Sequence, residues 1–184
     1  MNLRVNEIFY SLQGEGRWTG TPACFVRLSG CNLRCPFCDT DHSAYTEMGI
    51  DEIMTEISRY PAPIVVITGG EPSLQPLDRL TEAIHKSGRR VHIETNGTRP
   101  VPETIDWVTC SPKDGGEVVL TRIDELKVVY QGRDVEELYR RFRSAGSFYL
   151  QPCSGENIPE TIDYILQHPH WTLSLQTHKI SGIR

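Results

Sequence analysis

The sequence predicts an α/β fold: an incomplete, compact (β/α) partial barrel with a mostly parallel sheet. Three observations carry this. Short runs rich in Val, Ile and aromatics alternate with amphipathic stretches, the pattern of right-handed βαβ units. The 184 residues fall short of the roughly 250 that a complete eight-fold barrel needs. Polar and glycine-rich punctuation follows one predicted strand after another, where parallel α/β sheets carry their sites.

The strands are expected at Leu3–Phe9, Ala23–Leu28, Ile64–Thr68, Val91–Thr95, Trp107–Cys110, Glu125–Tyr130, Ser147–Gln151 and Thr172–Gln176, most of them bounded by Gly or Pro. Ile64–Thr68 opens on four aliphatic residues without alternation, as when both faces of a strand are covered. Between the strands, Ile50, Ile53, Met54 and Ile57 follow helical spacing, and so do Val135, Leu138, Tyr139 and Phe142. Asp134 and Glu137 read as a capping box for the second of these, with Gly146 as its stop. Leu77, Leu80 and Ile84 mark a helix ending at Gly88, and Ile158, Ile162, Ile165 and Leu166 mark one ending before Pro169. No full helix is expected between Trp107 and Tyr130. There is no internal repeat and no linker, so residues 1–184 are read as a single domain.

Composition narrows the function. With 19 Lys+Arg against 24 Asp+Glu the net charge is −5, and no basic block is present, which argues against a nucleic-acid binder. The longest aliphatic run, Ile64 to Ile67, is far below the ~20 residues of a membrane span. Met1 to Glu7 lacks the apolar core of a signal peptide. The expectation is a cytoplasmic protein with no membrane contact.

Six cysteines are unevenly placed. Cys31, Cys35 and Cys38 cluster in one loop, and Cys24, Cys110 and Cys153 stand apart. Three thiols this close cannot staple a fold usefully, and nothing points to secretion. The loop Gly30-Cys31-Asn32-Leu33-Arg34-Cys35-Pro36-Phe37-Cys38-Asp39-Thr40 reads as a ligand set. Three thiolates can hold three irons of a four-iron cluster and leave the fourth open to a small molecule. Two plainer readings stand beside this one: a zinc knot recruiting Cys24, at a spacing unusual for zinc, and simple core thiols.

The loop resembles the C-x3-C-x2-C signature of the radical S-adenosylmethionine superfamily, in which an aromatic residue precedes the last cysteine, as Phe37 does here. Gly69-Gly70-Glu71-Pro72 resembles the superfamily turn whose backbone binds the methionine amino group. The resemblance narrows with Glu7 to Gly16, Phe25 to Cys31, Cys38-Asp39-Thr40, Glu94-Thr95-Asn96-Gly97, Ser111-Pro112-Lys113, Gln151-Pro152 and Leu175-Gln176-Thr177-His178-Lys179. In that order, over nearly the whole chain, they are similar to the 7-carboxy-7-deazaguanine synthase family.

That resemblance implies conversion of 6-carboxy-5,6,7,8-tetrahydropterin to 7-carboxy-7-deazaguanine with loss of ammonia, on the route to deazapurines such as queuosine. It also implies a 4Fe-4S cluster, S-adenosylmethionine and Mg²⁺ as cofactors, a homodimer, and an external electron donor of flavodoxin or ferredoxin type. Residue by residue, Cys31, Cys35 and Cys38 would hold the cluster. Phe37, Cys38, Asp39, Gly70, Ser111, Pro112, Lys113 and Gln151, Pro152, Cys153, Ser154 would contact S-adenosylmethionine, and Thr40 would hold Mg²⁺. Leu12, Gln13, Gly14, Arg27 and Thr68 would bind the pterin, with Gln13, Arg27 and Thr68 also the candidate catalytic residues. Arg27 suits a carboxylate because its fork is bidentate.

The chain departs from the family at its last residue. Arg184 stands where the family's final residue helps enclose the substrate, and a charge there is unusual. Glu15 is given no site role, Glu94 is read as a structural partner of its loop, and the six histidines as structural or exposed. The rival readings are a glycyl-radical enzyme activase, which would dock a protein, and a zinc-stabilised binding module without catalysis.

Overall fold

The structure is a computed structural model that describes residues 2–183. Arg184, and with it the expected terminal substrate contact, lies outside the described residues. Among the described residues nine strands form one sheet: β1 (Asn2–Leu12), β2 (Pro22–Leu28), β3 (Thr46–Gly49), β4 (Ile64–Gly69), β5 (Arg90–Thr95), β6 (Trp107–Cys110), β7 (Glu125–Tyr130), β8 (Phe148–Pro152) and β9 (Thr172–Leu173). Their order is β3-β1-β2-β4-β5-β6-β7-β8-β9. From β2 onward every pairing is parallel, whereas β1 runs antiparallel to both β2 and β3. β3 and β9 are the two open edges, so the barrel is incomplete as expected.

The helices are α1 (Ile50–Ser58), α2 (Asp78–Lys86), α3 (Glu136–Arg141), α4 (Ile158–Gln167) and α5 (Thr177–Ser181). The first four fall where the apolar spacing puts them, and no helix lies between β6 and β7. Among the described residues, no helix is long and apolar enough to cross a membrane. The capping box expected of Asp134 and Glu137 does not form: Asp134 accepts from the Glu136 amide at 2.8 Å just ahead of α3, and the cap residue itself is Val135, without a side-chain cap bond. Glu136, the first residue of α3, bonds Trp171 Nε1 and His170 Nε2, both at 2.9 Å. A glutamate does reach back at α1, where Glu52 accepts from the Gly49 amide at 2.6 Å.

Side-chain alternation on the strands places the core and the site. One face of β2, β4 and β5 carries Cys24, Val26, Leu28, Val65, Ile67, Val91 and Ile93, packed under Ile53 and Ile57 of α1 and Leu80 and Ile84 of α2. Farther along, Leu126, Val128, Tyr130 and Leu150 pack with Val135, Phe142 and Trp171. The opposite face begins apolar, with Phe9, Ala23, Phe25, Ile64 and Val66. Two residues farther along each strand it turns polar: Arg27 after Phe25, Thr68 after Val66, Glu94 after His92. This switch at the C-terminal strand ends makes the floor of the site.

Candidate active site

A cavity of about 630 Å³ opens on that polar edge, and most of the residues singled out from the sequence line it. The loop after β2 turns at Gly30, whose φ of +93° suits glycine. It is pinned by Gly30 N to His42 O (3.2 Å), Ser29 Oγ to Ala44 O (2.6 Å) and Asn32 Nδ2 to Thr98 Oγ1 (2.8 Å). Cys31, Cys35 and Cys38 all border the cavity. Burial pushes the Cys35 thiol up; Lys113 opposes this, and Cys31 and Cys38 add to the rise, so the three sulfurs lie within electrostatic reach.

The donor set fits a cluster. Among the described residues no three His, Cys, Asp or Glu side chains converge as ligands of one ion do. Cluster thiolates bind three different irons and meet no such requirement. Cys24 cannot join them in a zinc knot, because it sits wholly buried in the core under α1 and α2.

The turn after β4 lies directly on the cysteine loop. A Cβ on Gly70 would stand 2.3 Å from Gly30 O and 2.9 Å from Cys31 Cβ, and the Glu71 amide donates to Gly30 O at 2.9 Å. Glu71 itself is fully buried and fully occupied. It accepts from Ser73 N (3.0 Å), Ser73 Oγ (2.6 Å), Thr95 Oγ1 (2.7 Å) and Asn96 N (2.6 Å), so this carboxylate braces β4 against β5.

At the cofactor end, Phe37, Asp39, Gly70, Ser111, Lys113, Gln151, Pro152 and Ser154 border the cavity. Pro112 lines a neighbouring cavity of about 230 Å³ with Phe37 and Lys113. Cys153 is on neither cavity, its amide held by Asn157 Oδ1 at 2.8 Å. Lys113 bonds the Ser111 carbonyl at 3.0 Å and its hydroxyl, and burial draws its pKa down. Thr40 borders the cavity beside Asp39.

At the substrate end, Leu12, Gln13, Gly14, Arg27 and Thr68 all border the cavity. Gln13 Nε2 donates to Glu94 Oε1 at 2.8 Å, and Gln13 Oε1 accepts from the Glu15 amide at 3.2 Å. Sequence reasoning missed the charged group beneath them. Lys127, 4% exposed, bonds Glu15 Oε2 at 2.5 Å and Glu94 Oε2 at 3.2 Å. Burial alone would raise Glu15, but Lys127 outweighs it and holds the carboxyl below its usual range. Burial likewise opposes the charge on Lys127, and Glu15, Glu94 and Glu125 override it, so its pKa is raised. Glu15 is therefore no surface charge. Glu94 braces Gln13 as expected of a structural partner, yet it also borders the cavity, as do Gln176 and His178. One signal was available: Glu125 and Lys127 alternate with Leu126 and Val128, marking a polar face on an otherwise apolar strand.

Residues 25–123 match the Radical SAM superfamily. A 7-carboxy-7-deazaguanine synthase from Bacteroides thetaiotaomicron is 58% identical over 184 residues, spanning 100% of both chains. One from Neisseria meningitidis serogroup B is 41% identical, over 98% of this chain and 93% of that one. The crystal structure of QueE from Escherichia coli superposes with a TM-score of 0.82 at 31% identity, covering 95% of this chain and 94% of that chain.

Proposed function

This chain belongs to the 7-carboxy-7-deazaguanine synthases of the radical S-adenosylmethionine superfamily, and we propose that its cavity carries out their ring contraction. It is a radical S-adenosylmethionine lyase of queuosine biosynthesis, converting 6-carboxy-5,6,7,8-tetrahydropterin to 7-carboxy-7-deazaguanine with loss of ammonia. The observation that carries this reading is that one cavity joins three loop thiols to a polar strand-end face holding Arg27, Gln13 and Thr68.

When bound, the 4Fe-4S cluster supplies the one-electron reduction that starts radical chemistry on S-adenosylmethionine. This chain's own residues bind and orient. Arg27 takes the substrate carboxylate. Gln13, fixed at both ends of its amide, offers a pre-set edge to the pterin ring, with Gly14 and Thr68 beside it. Lys113 gives a point charge to the carboxylate or ribose of S-adenosylmethionine. Thr40 is the proposed Mg²⁺ ligand. Its hydroxyl is the kind of hard oxygen donor Mg²⁺ takes, and the ion would supply electrostatic stabilisation of charge on the bound substrate. The chain is proposed to act as one domain in a cytoplasmic homodimer, reduced by a flavodoxin- or ferredoxin-type donor.

The deciding experiment is anaerobic incubation of reconstituted protein with reductant, S-adenosylmethionine, Mg²⁺ and the carboxypterin. The expected result is 7-carboxy-7-deazaguanine and ammonia. A preparation with iron and sulfide that leaves the pterin unchanged overturns the substrate assignment.

A further inference from the structure

The terminal Leu175-Gln176-Thr177-His178-Lys179 segment touches both ends of the cavity. Thr177 donates twice to the Gly14 carbonyl, from its amide at 2.9 Å and its hydroxyl at 3.0 Å. His178 packs so closely on Gly14 that a Cβ there would stand 2.3 Å from its Nδ1. On the substrate side, Gln176 Nε2 donates to Glu15 Oε1 at 2.9 Å, on the carboxylate that pairs with buried Lys127. On the cofactor side, Lys179 Nζ donates to Asp39 Oδ2 at 2.6 Å and to Gln176 Oε1 at 2.9 Å, and Gln176 Nε2 reaches Asp39 Oδ2 at 3.4 Å. Asp39 sits between Cys38 and Thr40. Among the described residues, the hydrogen bonds tying residues 35–40 to any other element are those that Asp39 accepts from Gln176 and Lys179.

We propose that Gln176 and Lys179 are positioning residues that couple the two ends of the cavity, so that pterin on the Gln13–Glu15 segment tightens S-adenosylmethionine on the Cys38–Asp39 segment. The coupling rests on the functional reading above, since it names those two ligands. It follows from an unbroken path, Lys127–Glu15–Gln176–Lys179–Asp39, in which each side chain fixes the next. An occupied substrate site that orders Glu15 thereby orders Gln176, and Gln176 with Lys179 sets Asp39. Ordering done by the first ligand lowers what the second must supply, which is positive cooperativity. Linkage requires the converse effect to be of equal size.

The test is equilibrium binding of S-adenosylmethionine to the anaerobic holoenzyme, with and without the carboxypterin. The wild-type protein should bind about fivefold or more tightly when the pterin is present, within the usual span of such couplings. Gln176→Ala and Lys179→Met should bring that ratio close to one, and Lys179→Arg should retain most of it. General loosening of the site would weaken each affinity and leave their ratio in place. A wild-type ratio of one, or variants that keep the wild-type ratio, overturns the proposal. If wild-type protein binds no pterin, the functional reading fails instead, and hydrogen exchange of residues 35–41 in the cluster-free chain then decides whether Gln176 and Lys179 hold that loop. Faster exchange in Gln176→Ala supports it, and unchanged exchange overturns it.

Discussion

Arg27 and Glu7 stand opposite each other across the antiparallel β1–β2 pair, joined from Nε to Oε1 at 2.8 Å. Phe9, the next residue on that face of β1, lies under the guanidinium with its ring centre 5.9 Å from Cζ. One edge of the guanidinium is thus committed within the protein, and among the described residues the two terminal nitrogens are the fork left for a ligand. Arg27→Ala should weaken binding of the carboxypterin by about 2–5 kcal/mol, the range for losing one partner of a desolvated charge pair. Arg27→Lys should restore only part of this, since a point charge has no fork. Glu7→Gln, which keeps an acceptor for Nε, should cost less than either. Titration calorimetry with the pterin checks the series, and an unchanged affinity in Arg27→Ala rejects the contact.

The cysteines divide by environment. Cys24 and Cys110 are fully buried, and burial pushes their thiols up to about 11 and about 12, which leaves them protonated and inert. Substituting Cys31, Cys35 or Cys38 by Ala should abolish the visible thiolate-to-iron absorption after reconstitution. Substituting Cys24, Cys110 or Cys153 should leave that absorption in place, although the first two should lower stability. Loss of the cluster in Cys24→Ala would reject the three-thiol assignment.

The same division explains what could be read from the sequence. The cysteine loop and the Gly69-Gly70-Glu71-Pro72 turn are contiguous, so their chemistry is written in adjacent residues. The parallel strands β4 to β8 are legible because they are short, β-branched and bounded by turn residues. Thr46-Glu47-Met48-Gly49 carries no such pattern. It becomes β3 because Asn2 to Val5 offer it an edge, a decision taken across more than 40 residues. The expected strand at Thr172–Gln176 stops at Leu173, since Gln176 is drawn to Glu15 and Thr177 to Gly14. Lys127 finds Glu15 because the segment after β1 crosses to β7, five positions away in the sheet order, a tertiary contact that local sequence does not show.

Gly70 has no room for a side chain. A Cβ there would meet the Gly30 carbonyl carbon at 2.7 Å and its oxygen at 2.3 Å, and backbone cannot yield as a flexible side chain can. Gly70→Ala should therefore displace the cysteine loop and reduce both cluster incorporation and S-adenosylmethionine binding. Gly88→Ala, where no atom lies within 4 Å but φ is +79°, is the control for backbone strain at a glycine away from the site. Iron content and cofactor affinity measured on both variants make the comparison.

His92 is 4% exposed on the opposite, apolar end of the same strand face, with its ring centre 5.0 Å from that of Trp18 and 6.3 Å from that of Trp107. Burial, with Arg90 nearby, lowers its pKa to about 4. The unfolded chain, with histidine near 6.5, binds the proton more readily, so stability falls as pH drops from about 6.5 to about 4. A shift of this size corresponds to about 3 kcal/mol by the lower limit of that window. His92→Phe should flatten that part of the profile, whatever it does to stability at neutral pH. Urea unfolding at pH 7 and pH 4.5 reads the difference, and an equal slope in wild type and variant rejects the assignment.

Lys127 gives the sharpest pH prediction, because its two partners sit on elements far apart in the chain. Lys127→Met keeps the stem and removes the charge, leaving Glu15 and Glu94 facing an apolar tip. Breaking a buried pair on one side costs about 3–5 kcal/mol, since the remaining charge is desolvated and uncompensated. In the wild-type protein Glu15 is held below the ordinary carboxylate range, so its contribution is present above about 4.3, the unfolded value. That contribution is lost as pH falls through the depressed folded value. In the variant only the Gln176 hydrogen bond and the nearby His178 still oppose burial, so the Glu15 pKa rises and the folded state favours the protonated acid. The stability deficit of Lys127→Met should therefore be larger at pH 8 than at pH 5. Adding Glu15→Gln to Lys127→Met should recover part of the deficit at pH 8, because the amide removes the stranded charge. Unfolding free energies of the wild type, both single variants and the double variant complete the cycle. A deficit independent of pH would mean that Lys127 acts through packing alone, with no electrostatic hold on the Glu15 end of the site.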